Sequence, residues 1–289
     1  MSAVTTAPVP RRSWLFTPAT RPERFARAAE AGADVLIIDL EDAVAPVDKA
    51  AARRLALEAL ATAPARPIQR ALRVNAPVTL DGLEDLLALA RSPVRPDVLI
   101  LPKTESAEMV RWIDALLSGA GCPLPLVALI ESARGVAAVE AIAQASPRLT
   151  ALFFGAADLS ADLGCATAWE PLLAARSRLV NAAALAGIEA VDSPFFALND
   201  AEGLARETQA ALALGFGAKA AIHPGQVAAI NAALTPNAEA VAQARRILVE
   251  SAKGVGVVDG RMIDEAVARK ARRILARAGD AAAGDPGKI

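Results

Sequence analysis

Eight short apolar runs punctuate the chain, each ending in a polar or charged side chain and each followed by a stretch of helical character. The runs read Ser13–Thr17 leading to Arg21, VLIIDLED to Glu41 and Asp42, ALRVN to Arg73 and Asn75, and DVLILPK to Lys103. They continue with LVALIES to Glu131, LTALFFGAAD to Asp158, IEAVDSP to Asp192 and AKAAIHP to His223. A strand buried on both faces is almost wholly apolar, as in parallel sheets, so its first polar residue marks where it leaves the core. When such exits recur with helices between them, they gather on one rim, the usual place for an active site.

The segments between the runs carry helix signals. Pro22 suits a first helical turn and Gly32 a helix stop. Further helices are predicted after Pro46, around residues 83–90, 107–117 and 136–143, then 172–185 and 202–214, and after Pro224. A longer loop holding Gly155, Gly164 and Cys165 is expected before the helix at 172–185. Strand–helix alternation at this spacing implies a parallel sheet with right-handed crossovers. The expected fold is a closed (β/α)8 TIM barrel with extra C-terminal helices. An open doubly wound sheet is the alternative; the barrel is preferred because eight is its strand number and no G-x-G-x-x-G opens the first unit. The expected organisation is a flexible leader over 1–12, the barrel over 13–236, a helical extension or lid over 237–279 and a flexible tail over 280–289. Within the extension, helices around 238–251 and 263–278 flank a GVGVVDGRM hinge.

Composition narrows the function. A chain of 289 residues that is 54% hydrophobic suits one large α/β domain. Its 31 Lys and Arg against 32 Asp and Glu give a net charge of −1, without the basic footprint of a nucleic-acid binder. Two cysteines, Cys122 and Cys165, are too few for a disulfide scaffold, which fits a reducing cytoplasm. No apolar run reaches the ~20 residues of a membrane span, and residues 1–12 lack the apolar core of a signal peptide. A soluble cytoplasmic protein with no nucleic-acid or membrane partner is expected.

Glu131 and Asp158 lead the candidate chemistry. They leave consecutive strands about 4.8 Å apart, and two carboxylates completed by waters and substrate oxygens make a common Mg²⁺ site. The bland alternatives pair Glu131 with Arg134 and make Asp158 a loop cap. Gly155, Ala156 and Ala157 offer backbone N–H groups that a ligand carboxylate can approach. Arg73 presents a planar fork suited to a carboxylate, with pairing to Asp39, Glu41 or Asp42 as its structural alternative. Alternation puts Asp39 and Glu41 on one face and Asp42 on the other. Lys103 allows a rival Schiff-base mechanism if its pKa is lowered, against an ordinary carboxylate-paired amine. Lys219, read as lying before the eighth strand, is less suited, and the single histidine, His223, reads as a hydrogen-bonded rim residue. Arg21 and Arg24 open the first helix, where phosphate is favoured, or form a solvated basic face. Asp264 reads as a helix cap.

The motifs RSWLFTPATRPERF, GADVLIIDLEDAVAPVDKAAAR, RVN, LPKTES, IESARG, FGAADLSADLG, KAAIHPGQ and DGRMID stand in this order from Arg12 to Asp264. In them the chain resembles the citrate lyase β-subunit-like branch of the HpcH/HpaI aldolase superfamily. The resemblance implies a (β/α)8 barrel, trimeric or hexameric, that makes or breaks a C–C bond in a CoA or acyl-carrier thioester with Mg²⁺, Mn²⁺ being a possible substitute. It implies Glu131 and Asp158 as metal ligands, Arg73 as the substrate-binding arginine, and Glu41 and Asp42 as acids behind it. Asp264 resembles an aspartate delivered from a neighbouring subunit's lid, and Arg21 and Arg24 lie where relatives receive CoA. The first loop departs from the pattern, reading Pro18-Ala19-Thr20 where many relatives have Pro-Gly-Asn, and Ala266 replaces a common proline. The implied reaction cleaves or forms a 3-hydroxy-carboxyacyl-CoA, such as malyl-CoA or citramalyl-CoA, with acetyl-CoA and an α-keto acid as the other side. A citryl thioester lyase, a malyl-CoA thioesterase, a Schiff-base aldolase through Lys103 and a non-catalytic CoA-ester-binding barrel are the alternatives.

Overall fold

Eight parallel strands close on themselves in sequence order. They are β1 (Ser13–Pro18), β2 (Val35–Asp39), β3 (Gln69–Arg73), β4 (Val98–Leu101), β5 (Leu126–Ile130), β6 (Leu149–Phe154), β7 (Glu189–Asp192) and β8 (Ala218–Ala221). Trp14 of β1 pairs with Val35 on one side and Ala220 on the other, which closes the ring. The computed structural model describes residues 10–252, 256–258 and 261–279. The expected (β/α)8 barrel is therefore the fold, and the open sheet is excluded.

The helices are α1 (Phe25–Glu30), α2 (Lys49–Ala61), α3 (Leu80–Arg91), α4 (Ala107–Gly119), α5 (Ala133–Ala137), α6 (Val139–Ala143), α7 (Ala156–Leu163), α8 (Trp169–Ala186), α9 (Ala201–Leu214), α10 (Val227–Leu234), α11 (Ala238–Ser251) and α12 (Glu265–Arg277). Side-chain caps set several starts. Thr79, Ser106 and Ser132 each accept an N–H from three residues on, so α3 begins earlier than its apolar pattern suggests. The loop expected around Gly155 and Gly164 contains α7 instead, because ADLSADL completes two turns before Gly164 ends it in the left-handed conformation. Among the described residues no helix is long and apolar enough to cross a membrane.

Strand parity fills the barrel. Trp14, Val35, Ile37, Ala71, Val98, Ile100, Val127, Leu129, Ala151, Phe153, Val191, Ala218 and Ala220 form one buried cluster. Trp14 meets Phe153 edge-on at 6.1 Å between ring centroids. Each large side chain so buried contributes about 1.5–3 kcal/mol. Residues of the other parity, such as Leu36, Ile38, Leu72 and Leu99, are also buried, which is why the runs are apolar throughout.

The chain divides into two compact units, Arg11–Asn231 and a second that holds Pro10 and the described residues from Ala232 onward. Arg12, assigned to the leader by its sequence, is tied to Asp34 by side-chain bonds of 2.8 and 2.9 Å. In the second unit α11 and α12 bury Ala244, Ala271 and Leu275 together. The expected hinge between them carries β9 (Gly256–Val258) and β10 (Arg261–Ile263), an antiparallel pair with Met262 opposite Val257. Residues 1–9 and 280–289, the rest of the leader and the tail, lie outside the described residues.

Candidate active site

The parity that fills the barrel also selects what reaches its mouth. Val35 and Ile37 are followed by Asp39, Ala71 by Arg73, Val127 and Leu129 by Glu131, and Phe153 by Gly155. These positions line a cavity of about 370 Å³ at the C-terminal ends of the strands, with Asp158 and Asp42 on its polar wall and Phe16 and Phe196 on its apolar one.

Arg73 is anchored before any ligand arrives. Its Nε and Nη2 donate to the two Asp39 oxygens at 2.6 and 2.7 Å, a bidentate pair set by the direct β2–β3 register of these residues. Nη1 stands 2.8 Å from Glu41 Oε2 and 3.5 Å from Asp42 Oδ2. The Glu41 oxygen has no hydrogen-bond partner, so its contact with Nη1 is an ion pair without hydrogen-bond alignment. Phe16 stacks under the guanidinium at 4.8 Å. All three acids meet Arg73, contrary to the expected split of Asp42 from Asp39 and Glu41. The strand ends at Asp39, so alternation no longer governs Glu41 and Asp42, two and three residues beyond it. Asp39, one of the three acids that the sequence offered as partners of Arg73, is the one that makes the bidentate pair. The signal for it in the sequence is an Asp closing one apolar strand and an Arg closing the next, and the structure sets these two residues directly opposite each other.

Lys103 joins the other two carboxylates. Its backbone N–H donates to Glu131 Oε1 at 2.7 Å. Its ammonium bonds Asp158 Oδ2 and stands 3.6 Å from Glu131 Oε1 and 3.7 Å from Glu41 Oε1. Glu131 and Asp158 thus come within reach of a single cation. Arg134, the alternative partner for Glu131, instead faces Glu105 at 3.6 Å. Asp158 sits in the first turn of α7, one step beyond the strand exit where it was expected, and Gly155, Ala156 and Ala157 lead into it. No side chain caps this helix start, so its first N–H groups remain for a ligand at the cavity wall.

Five carboxyl groups cluster here with two cations, an imbalance that shifts their ionisation. Burial pushes Glu41 up to about 7, against the pull of Arg73. Burial, with the neighbouring charge of Glu41, raises Glu131 well above the usual range. Burial also works upward on Asp158, but hydrogen bonds from Lys103 and Glu131 outweigh it and hold Asp158 low. Desolvation pulls Lys103 down, yet the surrounding carboxylates raise it overall, so its amine stays protonated. That is the ordinary carboxylate-paired amine.

Other predicted rim residues fall elsewhere. Asp192 follows inward-facing Val191 and so points away from the barrel interior. There it meets Lys219 Nζ at 2.6 Å and Arg176 Nε at 3.0 Å. Lys219 lies within β8, not before it, and is fully buried, with Glu207 and the Ser193 carbonyl as further partners. His223 accepts the Gly225 N–H through Nδ1 at 3.1 Å and caps a short turn. Arg21 and Arg24 are exposed, each 4.0 Å from Glu23, around a three-residue 3₁₀ turn that offers little helix dipole. Asp264 belongs to the second unit, where its side chain caps α12 by accepting the Val267 N–H at 2.9 Å.

The wall fits a divalent ion on its own chemistry. A Cβ on Gly155 would stand 2.4 Å from that of Glu131, so glycine alone lets the two approach. A cation already bridges Glu131 and Asp158, in the form of the Lys103 ammonium. Among the described residues no three His, Cys, Asp or Glu side chains form a cage by themselves. Two carboxylates with open positions suit Mg²⁺, which retains several waters.

Comparison with known proteins finds relatives over nearly the whole chain. The pattern of the HpcH/HpaI aldolase/citrate lyase family matches residues 12–224. A citrate lyase subunit beta-like protein of Mycobacterium tuberculosis is 39% identical over 93% of this chain and 96% of its own. An L-malyl-CoA/beta-methylmalyl-CoA lyase of Cereibacter sphaeroides is 38% identical over 93% and 95%. The crystal structure of protein CitE from M. tuberculosis, in complex with magnesium, acetoacetate and coenzyme A, superposes with a TM-score of 0.77. It is 38% identical and covers 93% of this chain and 98% of that one.

Proposed function

The chain belongs to the HpcH/HpaI aldolase/citrate lyase family, and we propose that it is a Mg²⁺-dependent carbon–carbon lyase of 3-hydroxy-carboxyacyl-CoA thioesters. Malyl-CoA and citramalyl-CoA are the proposed substrates, with acetyl-CoA and an α-keto acid as products. The observation that carries this reading is the convergence of Glu131 and Asp158 on one cation at the wall of the cavity. A divalent ion there would supply Lewis acidity, lowering the pKa of the substrate hydroxyl and offsetting the charge on its carboxylate.

The chain's own groups do the rest. Arg73, immobilised by Asp39, turns its remaining N–H groups to developing negative charge, and the start of α7 adds backbone donors. A carboxylate of the wall takes the hydroxyl proton. The C–C bond then breaks, its electron pair passes to the enolate of acetyl-CoA, and that carbon is reprotonated. Asp264, delivered by a neighbouring copy in a homotrimer or hexamer, donates that proton in cleavage and removes the acetyl-CoA methyl proton in the condensing direction. Arg21 and Arg24 take the CoA phosphates. Mn²⁺ substitutes for Mg²⁺, and the reaction runs in the cytoplasm. The protonated, ion-paired state of Lys103 argues against a Schiff-base aldolase.

The test is release of acetyl-CoA and keto acid from malyl-, citramalyl- and β-methylmalyl-CoA, with Mg²⁺ and with EDTA. Turnover of at least one thioester only with the metal is expected. No release from any of them, or equal rates in EDTA, contradicts the reading.

A further inference from the structure

We propose that Lys103 is an internal counter-cation that holds the Glu131–Asp158 pair together and must be displaced for a divalent ion to bind, so that it sets the metal affinity of the site. This inference rests on the metal reading of those two carboxylates.

The backbone shows that the position is built. Lys103 is the only non-glycine residue with positive φ among the described residues, at +49°. Side chains other than glycine pay a steric penalty in this left-handed region, so surrounding contacts must hold it there. Two contacts do so from opposite ends of the residue. The Lys103 N–H fixes Glu131 Oε1 at 2.7 Å, and its ammonium bonds Asp158 Oδ2. The strand itself ends at Leu101, so inward and outward parity no longer governs residue 103. The left-handed turn instead brings the amine over the carboxylates.

Charge then makes the ammonium and a metal ion competitors. Nζ stands within 3.7 Å of Glu41, 3.6 Å of Glu131 and in direct contact with Asp158. A divalent ion on the same Asp158 and Glu131 oxygens would lie within a few ångströms of Nζ, where like charges repel strongly. The lysine stem is flexible, and the side chain is 34% exposed, so the amine has a route toward solvent. The backbone bond to Glu131 does not depend on where the amine goes. Glu131 therefore stays oriented while the ammonium leaves, and the site exchanges one cation for another without losing its geometry.

Calorimetric titration of Mg²⁺ into the full-length, metal-free protein tests this without substrate. Lys103→Met should bind Mg²⁺ roughly five-fold tighter than wild type, the scale of one partly exposed ion pair no longer displaced. Lys103→Arg keeps the charge and should stay near wild type. Lys103→Gln keeps a donor for Asp158 without the charge and gives a second neutral variant should the methionine variant fold poorly. Thermal denaturation should show the neutral variants melting lower than wild type without metal and closing that gap as Mg²⁺ is added. Unchanged or weaker Mg²⁺ binding in the neutral variants overturns the counter-cation role and leaves the metal site standing. Absence of Mg²⁺ binding in wild type itself overturns both.

Discussion

Gly155 and Glu131 touch across the β5–β6 pair with no room for a side chain between them. A Cβ on Gly155 would stand 2.4 Å from Glu131 Cβ and 2.9 Å from Oε2, while the Gly155 N–H is committed to the Ile130 carbonyl at 2.9 Å. Gly155→Ala should therefore cost about 1–3 kcal/mol through overpacking and push Glu131 out of alignment with Asp158. Chemical denaturation and Mg²⁺ titration check the two effects. A variant with wild-type stability and affinity would contradict the close approach.

The Arg73 cluster predicts two unequal losses. Asp39→Ala leaves a buried guanidinium without its bidentate partner and should destabilise the protein by about 3 kcal/mol or more. Asp42→Ala removes a contact of 3.5 Å from a side chain that is 59% exposed, and should cost less than about 1 kcal/mol. Urea denaturation of both variants gives the comparison; equal losses would contradict the assigned anchor.

The two classes of carboxyl group predict a characteristic pH profile for the metal-free protein. Glu41 is raised from an ordinary 4.5 to about 7 by burial. Between these values the unfolded chain has released this proton while the folded chain still holds it. Ionisation then favours unfolding, and the Glu41 contribution to stability falls as pH rises through the window. Asp158 and Asp192 are depressed below 3.8, so their contribution is present above that value and lost as pH falls through their lower folded values. Glu41→Gln should flatten the fall in melting temperature between pH 4.5 and 7 and leave the acid limb intact. A wild-type profile that matches the variant across that window would contradict the assignment.

Lys219 and Asp192 predict a loss of stability without a loss of chemistry. Lys219→Met strands a fully buried Asp192 with Arg176 as its remaining cation and should cost about 3 kcal/mol. The pair points away from the cavity, so turnover per folded molecule should stay at the wild-type level. A selective loss of turnover in a stable variant would move this cluster into the active site.

Much of this was legible in the sequence because burial on both faces writes a parallel strand as an unbroken apolar run. Counting eight such runs gives the barrel, and the exits give Arg73, Glu131 and the neighbourhood of Asp158. What an exit does not give is direction. Asp192 and Glu131 both end apolar runs, yet one faces the helix layer and the other the cavity. Parity counted from Val191 and Leu129 separates them. Lys219 interrupts an apolar run, which suggests a boundary, but full ion pairing lets it lie inside the strand. The exits also give Lys103, but not its place over Glu131 and Asp158, because its left-handed backbone breaks strand alternation, a conformation that residue type does not announce. The cap at Asp264 is readable because it is local, an Asp at the start of an apolar-periodic run.

The most direct test of the account is the rate of acetyl-CoA release from the best thioester substrate by Glu131→Gln, measured against wild type in Mg²⁺. Circular dichroism establishes that both are folded. Loss of one of the two proposed protein ligands should lower the metal-dependent rate by a factor of about 10² or more, with the fold retained, while EDTA silences wild type and added Mg²⁺ restores it. A folded Glu131→Gln protein that turns over at the wild-type rate would contradict the claim that Glu131 and Asp158 hold the catalytic ion.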